Sequence, residues 1–371
     1  MKRNLLTILI LFVLFSCVNK TNNNLNSTII DVEKKPDGSI EYESVTMIPI
    51  ETIDDGLLGQ NLKIRFTDSN IYIADAAHGC IFKYDNEGQF INRIGSKGEG
   101  PQEYLSLTDF RVENDTVEIM SCVGDTTTSI LKYYSNGEFI SQGNYDVIAG
   151  AFERLGVDYV FSKNYIKNDR EYRLMLLNKD GKVLNEFISN NPSIDLSIVE
   201  NFSKSDSFLF YKEAFDNYIY TIEPDSAIVR YTVDFGKFSI PESVFSGDFY
   251  SNFENLNKRG FFSIRSFFEN KRYAFFELAF QNEIISEIHQ LLYEKSTERI
   301  YKQKFIADET NYLYNVIGLT ETDELVYLQN AYEVTTNRDA LGKLNITNKT
   351  KLNEIEANDN PVILKCKIKN D

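Results

Sequence analysis

The chain has 371 residues, 42% of them hydrophobic and 25% charged, which is ordinary globular content and enough length for one large β domain or two or three smaller ones. A formal net charge of −16 argues against nucleic acid as a partner, because phosphate binding needs a basic face, and against electrostatic docking on anionic lipid. Tyr (22) and Phe (27) are abundant while only two histidines occur, so the composition leans toward β-strands and away from zinc sites built on histidine clusters.

The N-terminus reads as an address. Lys2 and Arg3 precede an apolar run from Leu5 to Phe15, too short to span a bilayer as a stable helix but suited to the hydrophobic region of a secretory signal. The run ends in Leu14-Phe15-Ser16-Cys17, which resembles the lipobox of bacterial lipoproteins. That resemblance implies that residues 1–16 are a removed signal peptide and that Cys17 is lipidated, giving attachment to the membrane through lipid only. Val18 follows the cysteine where an aspartate would suggest inner-membrane retention, so the address leans to the outer membrane, with the leaflet and facing left open. Residues 17–39 are polar and Asn-rich with no apolar stripe, and are expected to form a flexible tether.

Strand-like runs then follow in order. Ile40–Thr52 is an isolated one. Ile71–Asp75, Ile81–Tyr84 and Gln89–Ile94 form a group, with Asp85-Asn86-Glu87-Gly88 as a tight turn between the last two. The hairpin returns over Ile130–Gln142, Leu174–Phe187 and Tyr218–Val233. The turn glycines Gly88, Gly137 and Gly181 stand 49 and 44 residues apart, and Asp225 follows after another 44. A period of about 40 to 50 residues with several strands per unit marks a propeller. Residues 238–260 look like a partly helical insertion. A fifth unit follows, with its hairpin turn near Ser296, and a sixth ends in the strand Pro361–Lys369. That sixth unit has three strands of its own, and the Ile40–Thr52 run can supply the fourth. The expected fold is all-β: a six-bladed β-propeller over residues 40–371, its ring closed by pairing an N-terminal strand with the C-terminal blade, and monomeric.

The stretch Ile71–Tyr104, with its aspartate-ended strand and its hairpin, resembles the NHL-type repeat. The whole chain resembles the six-bladed β-propeller lipoproteins of Bacteroidetes, of NHL/TolB-like type. The resemblance is specific over residues 40–105 and includes the loop residues Gly95, Gly98, Gly100, Pro101, Glu103 and Tyr104. It implies a fold and an envelope location rather than a chemistry.

The loop "IGSKGEGPQEY" suggests a phosphate cradle, but a Walker loop needs Gly-x-x-x-x-Gly-Lys with Ser or Thr on a strand-to-helix turn, and here Lys97 precedes Gly98. A blade-to-blade crossover explains its glycines. Its polar residues Lys97, Glu99, Gln102 and Tyr104 remain candidates for a ligand at the propeller rim. Lys63, Arg65 and Asp68 belong to the first inner strand or follow it, and are candidates for the central channel. Asp75 is expected to accept backbone N–H bonds at a strand end, Asp54-Asp55 to be solvated, and His78 to lie on the surface. No nucleophile elbow, calcium loop or CxxC occurs, so no catalytic residue, metal or cofactor is assigned. Cys80, Cys122 and Cys366 cannot all pair with one another. Two function classes stay open: a binding or scaffold module for an envelope protein, peptide or glycan, and an envelope hydrolase or lyase using carboxylates at the channel.

Overall fold

The computed structural model describes residues 27–53, 56–124, 126–163, 171–189, 201–205, 208–213, 215–306 and 313–369. Strands β1 (Thr28–Asp31) and β2 (Tyr42–Pro49) precede the blades. Blade 1 is β3 (Lys63–Phe66), β4 (Asn70–Asp75), β5 (Cys80–Asp85) and β6 (Phe90–Ile94). Blade 2 is β7 (Asp109–Glu113), β8 (Thr116–Val123), β9 (Thr127–Tyr134) and β10 (Phe139–Tyr145). Blade 3 is β11 (Ala151–Leu155), β12 (Asp158–Ser162), β13 (Tyr172–Leu177) and β14 (Val183–Ser189). Blade 4 is β15 (Phe202–Lys204), β16 (Leu209–Lys212), β17 (Tyr218–Glu223) and β18 (Ser226–Asp234). Helix α1 (Phe249–Arg259) leads into blade 5, which is β19 (Phe261–Glu269), β20 (Tyr273–Gln281), β21 (Ser286–Glu294) and β22 (Arg299–Ile306). Blade 6 takes β23 (Val316–Leu319), β24 (Glu324–Gln329) and β25 (Val362–Ile368), with α2 (Ala331–Thr336), α3 (Arg338–Leu341) and α4 (Thr350–Glu354) between the last two.

The strand period of two decides how blades stack. On β4, Ile71 and Ile73 pack in a cluster with Ile48 and Ile363 of blade 6. Tyr72 and Ala74, on the opposite face, pack with Phe110, Ile119 and Leu131 of blade 2. Each sheet is therefore buried on both faces, which is why these strands read as near-continuous apolar runs.

The ring closes as the sequence suggests. Strand β2 pairs antiparallel with β25, from Tyr42 opposite Ile368 to Pro49 opposite Val362, and becomes the outer strand of blade 6. Val45 and Met47 point into the core, each worth about 1.5–3 kcal/mol of apolar burial. The recurring turn glycines also find a reason. Gly88 has φ +86° and lies against the carbonyl of Pro49 at the end of β2, where a Cβ would collide. Gly137 sits in the same way beside the carbonyl of Arg93 on β6. Each turn thus seats against the outer strand of the preceding blade.

The tether expected over residues 17–39 is corrected for its second half. From Ser27 the chain is folded onto the propeller. Strand β1 pairs in parallel with β18, Thr28 opposite Tyr231 to Asp31 opposite Asp234, and Ile30 is fully buried between blades 4 and 5. Asp37 N–H then donates to Ile300 O at 2.8 Å, and Lys302 Nζ donates to Val32 O at 2.6 Å. Residues 27–38 form a strap around the outer rim from blade 4 to blade 5. The physical reason is the open edge of β18, whose backbone groups need partners. The signal peptide over 1–16 and Cys17 lie outside the described residues. The insertion at 238–260 is partly helical as expected: α1 is capped by Asp248, whose side chain accepts from Tyr250 N–H, and Phe245, Phe249 and Phe253 pack around Phe261.

Candidate functional site: the central channel

The inner strands β3, β7, β11, β15, β19 and β23 surround the axis, each touching the next from β3 to β23. Several charged residues on the strands of blades 1 to 3 join one blade to the next. Lys63 Nζ pairs with Asp109 at 2.9 Å and donates to Thr108 O. Arg111 on β7 bonds Glu153 on β11 at 2.6 Å and Glu118 on β8 at 2.9 Å. Glu118 also accepts from Arg154 at 2.6 Å and from the Tyr159 hydroxyl at 2.8 Å. Burial pushes the Glu118 carboxyl up, but hydrogen bonds from Arg154 and Arg111 outweigh it and hold it at about 2. Such a fully satisfied network is a stitch between blades 2 and 3.

On the other side of the axis the inner strands leave a cavity. It is narrow, with about 30 Å³ of free volume, room for a water molecule or two. Its walls come from blades 1, 4, 5 and 6 and include Ile64, Arg65, Phe202, Phe268 and Ile317. Among the described residues no Asp or Glu lines it. The nearby buried carboxylates are already engaged, Asp109 by Lys63 and Glu213 by Arg173. Arg65 reaches the cavity with a half-buried guanidinium that lies 5.5 Å from the Phe110 ring centre and donates from Nη1 to Ile64 O. Its Nη2 is 3.8 Å from Asp109. Asn201 also lines the cavity. It is 2% exposed, its amide donates to Lys212 O at 3.0 Å, and its buried side-chain oxygen has no hydrogen-bond partner among the described residues.

The candidate residues therefore divide. Arg65 lines the cavity, and Lys63 lies beside it but is committed to Asp109. Asp68 is exposed in the turn between β3 and β4, where its backbone carbonyl accepts from Asn86. The glycine-rich loop joins β6 to β7, as a blade-to-blade crossover should. Tyr104 is buried and its hydroxyl donates to Gly79 O at 2.9 Å. Gln102 has φ +70° and its backbone carbonyl accepts from the Tyr133 hydroxyl at 2.6 Å. Lys97 and Glu99 are exposed. Asn201 was not singled out in the sequence, and a lone Asn before a three-residue strand gives no signal that could have found it.

Asp75 is buried at the end of β4 and accepts from the N–H groups of Gly59, Ala77 and His78. Its burial is offset by these bonds and by the His78 ring at 2.8 Å, which together keep it ionised below its ordinary range. Asp54-Asp55 lie outside the described residues. Buried Glu277 contacts Gln290 at 3.1 Å and Arg265 at 3.7 Å, and burial pushes its carboxyl up despite them. Cys80, Cys122 and Cys366 are free thiols. Among the described residues no group of three or more His, Cys, Asp or Glu is placed to hold a metal, and no helix is long and apolar enough to cross a membrane.

The family described as "Domain of unknown function (DUF4934)" matches residues 25–367. Among solved structures, a protein of Bacteroides fragilis named as a candidate exported protein is similar at 18% identity. It has a TM-score of 0.71, with 93% of this chain and 99% of that chain covered. A member of the DUF4221 family from Bacteroides vulgatus is similar at 12% identity and a TM-score of 0.55, covering 90% of this chain and 99% of that one. At these identities the likeness shows the six-bladed architecture alone. No curated protein matches the chain significantly.

Proposed function

The chain belongs to the DUF4934 family, and from that premise we propose that it is a lipid-anchored propeller of the bacterial envelope that binds a protein, peptide or glycan at the mouth of its central channel. In this reading Cys17 carries the lipid, the membrane is the outer one, the repeats are of NHL/TolB-like type and the propeller is monomeric. The lipobox-like ending at Cys17 and the exported-protein name of the Bacteroides fragilis neighbour support the location.

The observation that carries the binding reading is the cavity on the axis. It combines aromatic walls with the cationic side chains of Arg65 and Lys212 at a narrow opening. Pockets that bind ligands pair an apolar lining with a few convergent polar groups in this way. The other class, a carboxylate-dependent hydrolase or lyase, needs two acids in one pocket about 5 to 10 Å apart. The described lining supplies none.

The test has two arms. Cys17→Ser should move the protein from the membrane to the soluble fraction of cells. A photo-crosslinking residue at Ser203, in the cavity wall, should capture an envelope component, while one at exposed Val157 should not. Equal capture at both positions, or none at either, would count decisively against a binding module centred on the channel.

A further inference from the structure

Away from the channel, the seam where the ring closes leaves a second opening. The period of two on β25 sends Val362, Leu364 and Cys366 into the core shared by blades 5 and 6, and turns Ile363, Lys365 and Lys367 toward blade 1. Thr46 on β2 and Val326 on β24 stand opposite Lys365, and Glu324 stands opposite Lys367. Only the apolar half of this face is covered. Ile48, Val326 and Ile363 pack with Ile71, Ile73 and Phe82 of blade 1. The polar half opens into a cleft, which blade 1 borders only with its turn residues Asn86 and Glu87, and α4 with Lys351. The cleft has about 420 Å³ of free volume, within the range of pockets that bind small molecules.

The two cations of this cleft are uncommitted. Lys351 and Lys365 are half-buried, and among the described residues neither makes a hydrogen bond or an ion pair. Lys365 Nζ has only the Phe66 ring, 5.9 Å from its centre. Their neighbours differ: Lys367 donates to Thr322 O, and Lys349 to Gly342 O at 2.8 Å. An ammonium group partly withdrawn from water gains from an anion that replaces the lost hydration. The other polar groups of the lining are acceptors. Glu87 is exposed with a free carboxylate, and Asn86 spends its amide N–H on Asp68 O and keeps its oxygen. Glu324 is held at the far end by the hydroxyls of Thr320 and Thr322, at 3.2 and 3.1 Å. Met47 and Ile48 are the apolar members of the lining, and both are buried, so the cleft offers little surface to an apolar group.

We propose that this cleft between blades 6 and 1 is a second binding site, separate from the channel, for a small hydroxylated oxyanion with the chemistry of an acidic sugar. The anionic group takes Lys365 and Lys351, and hydroxyls donate to Glu87 and Asn86. A neutral sugar leaves both ammonium groups without a counter-charge. An apolar acid meets no apolar surface and leaves the acceptors unused.

The experiment is titration calorimetry on the full chain purified in detergent. Glucuronate and glucose 6-phosphate are the probes, and they separate a carboxylate from a phosphate as the source of the charge. Glucose is the neutral counterpart, and benzoate the acid without hydroxyls. At least one acidic sugar should bind, with glucose and benzoate weaker by about tenfold or more. That binding should weaken as salt rises from about 50 to about 300 mM. Lys365→Gln and Lys351→Gln should each weaken it by about fivefold to tenfold, the weight of a hydrogen bond to a charged group. Lys349→Gln, on the same segment but outside the cleft, should leave it unchanged. Thermal melts check that each variant is folded, and Lys351, on the short helix α4, serves if Lys365→Gln disturbs the sheet. Arg65→Gln in the channel should also leave this binding unchanged, so failure of the cleft and failure of the channel reading stay distinguishable. No acidic sugar binding at about 10 mM, glucose or benzoate binding as well as the acidic sugars, or equal losses in Lys349→Gln and the cleft variants overturns the proposal.

Discussion

Glu103 turns its carboxylate back into its own loop, accepting from Gly100 N–H at 2.8 Å and occupying the space that a Cβ on Gly98 would need. The loop that resembles a phosphate cradle already holds an anion, and the anion is its own. Together with Tyr104 on Gly79 O, this makes the crossover a fixed corner.

A double-mutant cycle exposes that relationship. Gly98→Ala alone should cost about 1 kcal/mol, because the Glu103 carboxylate must swing away and give up its bond to Gly100 N–H. In a Glu103→Ala background the same substitution should cost well under half as much. Urea denaturation of the four proteins measures it. An equal cost in both backgrounds would mean that Glu103 is not what restricts Gly98.

Glu118 sets an acid limit. Its folded value of about 2 lies below the ordinary 4.5, so the stability it contributes is fully present above about pH 4.5. It is lost as pH falls from 4.5 through 2. The linkage amounts to roughly 3 kcal/mol at neutral pH. Glu118→Gln should lower stability at pH 7 and flatten its decline between pH 5 and 2.5. A variant whose decline over that window matches the parent's would place the acid sensitivity elsewhere.

The strap is structural. Ile30 is fully buried among residues of blades 4 and 5, so Ile30→Ala should destabilise by about 2–4 kcal/mol. Substituting exposed Ile29, its neighbour, should cost less than about 0.5 kcal/mol. Thermal melts of the two variants decide this, and near-equal effects would show that the strap is not seated in solution.

Thiol accessibility gives a fourth check. Cys80 and Cys366 are buried, and burial pushes the Cys80 thiol up to about 11 and the Cys366 thiol further. Both should resist alkylation at pH 8 in the folded protein. Partly exposed Cys122 should react first. In a form beginning at residue 18, denaturant should release three reactive thiols, and fewer would indicate a disulfide.

Much of the fold is legible because its cause is local. A hairpin turn that seats against the preceding blade needs a residue such as Gly88, and that need repeats with the blade. The closing strand is legible because blade 6 is one strand short. The strap is not, because Thr28–Asp31 buries a single side chain, Ile30, in a polar context, and its partner β18 lies about 200 residues away. The site is legible only in part. Arg65 and Lys63 alternate along one strand and look alike in sequence. What separates them is Asp109, which arrives from the next blade and takes Lys63.

The strap also has a mechanical side. Tension applied ahead of Ser27 enters the disc at its circumference, through β1. Force directed along that strand loads its bonds to β18 together, in shear, instead of opening them one after another as a zipper. Beyond Asp31 the load passes to the contacts of Lys302 and Ile300 on blade 5. A leash fastened in this way grips the wheel by its rim and leaves the hub free to turn toward whatever it meets.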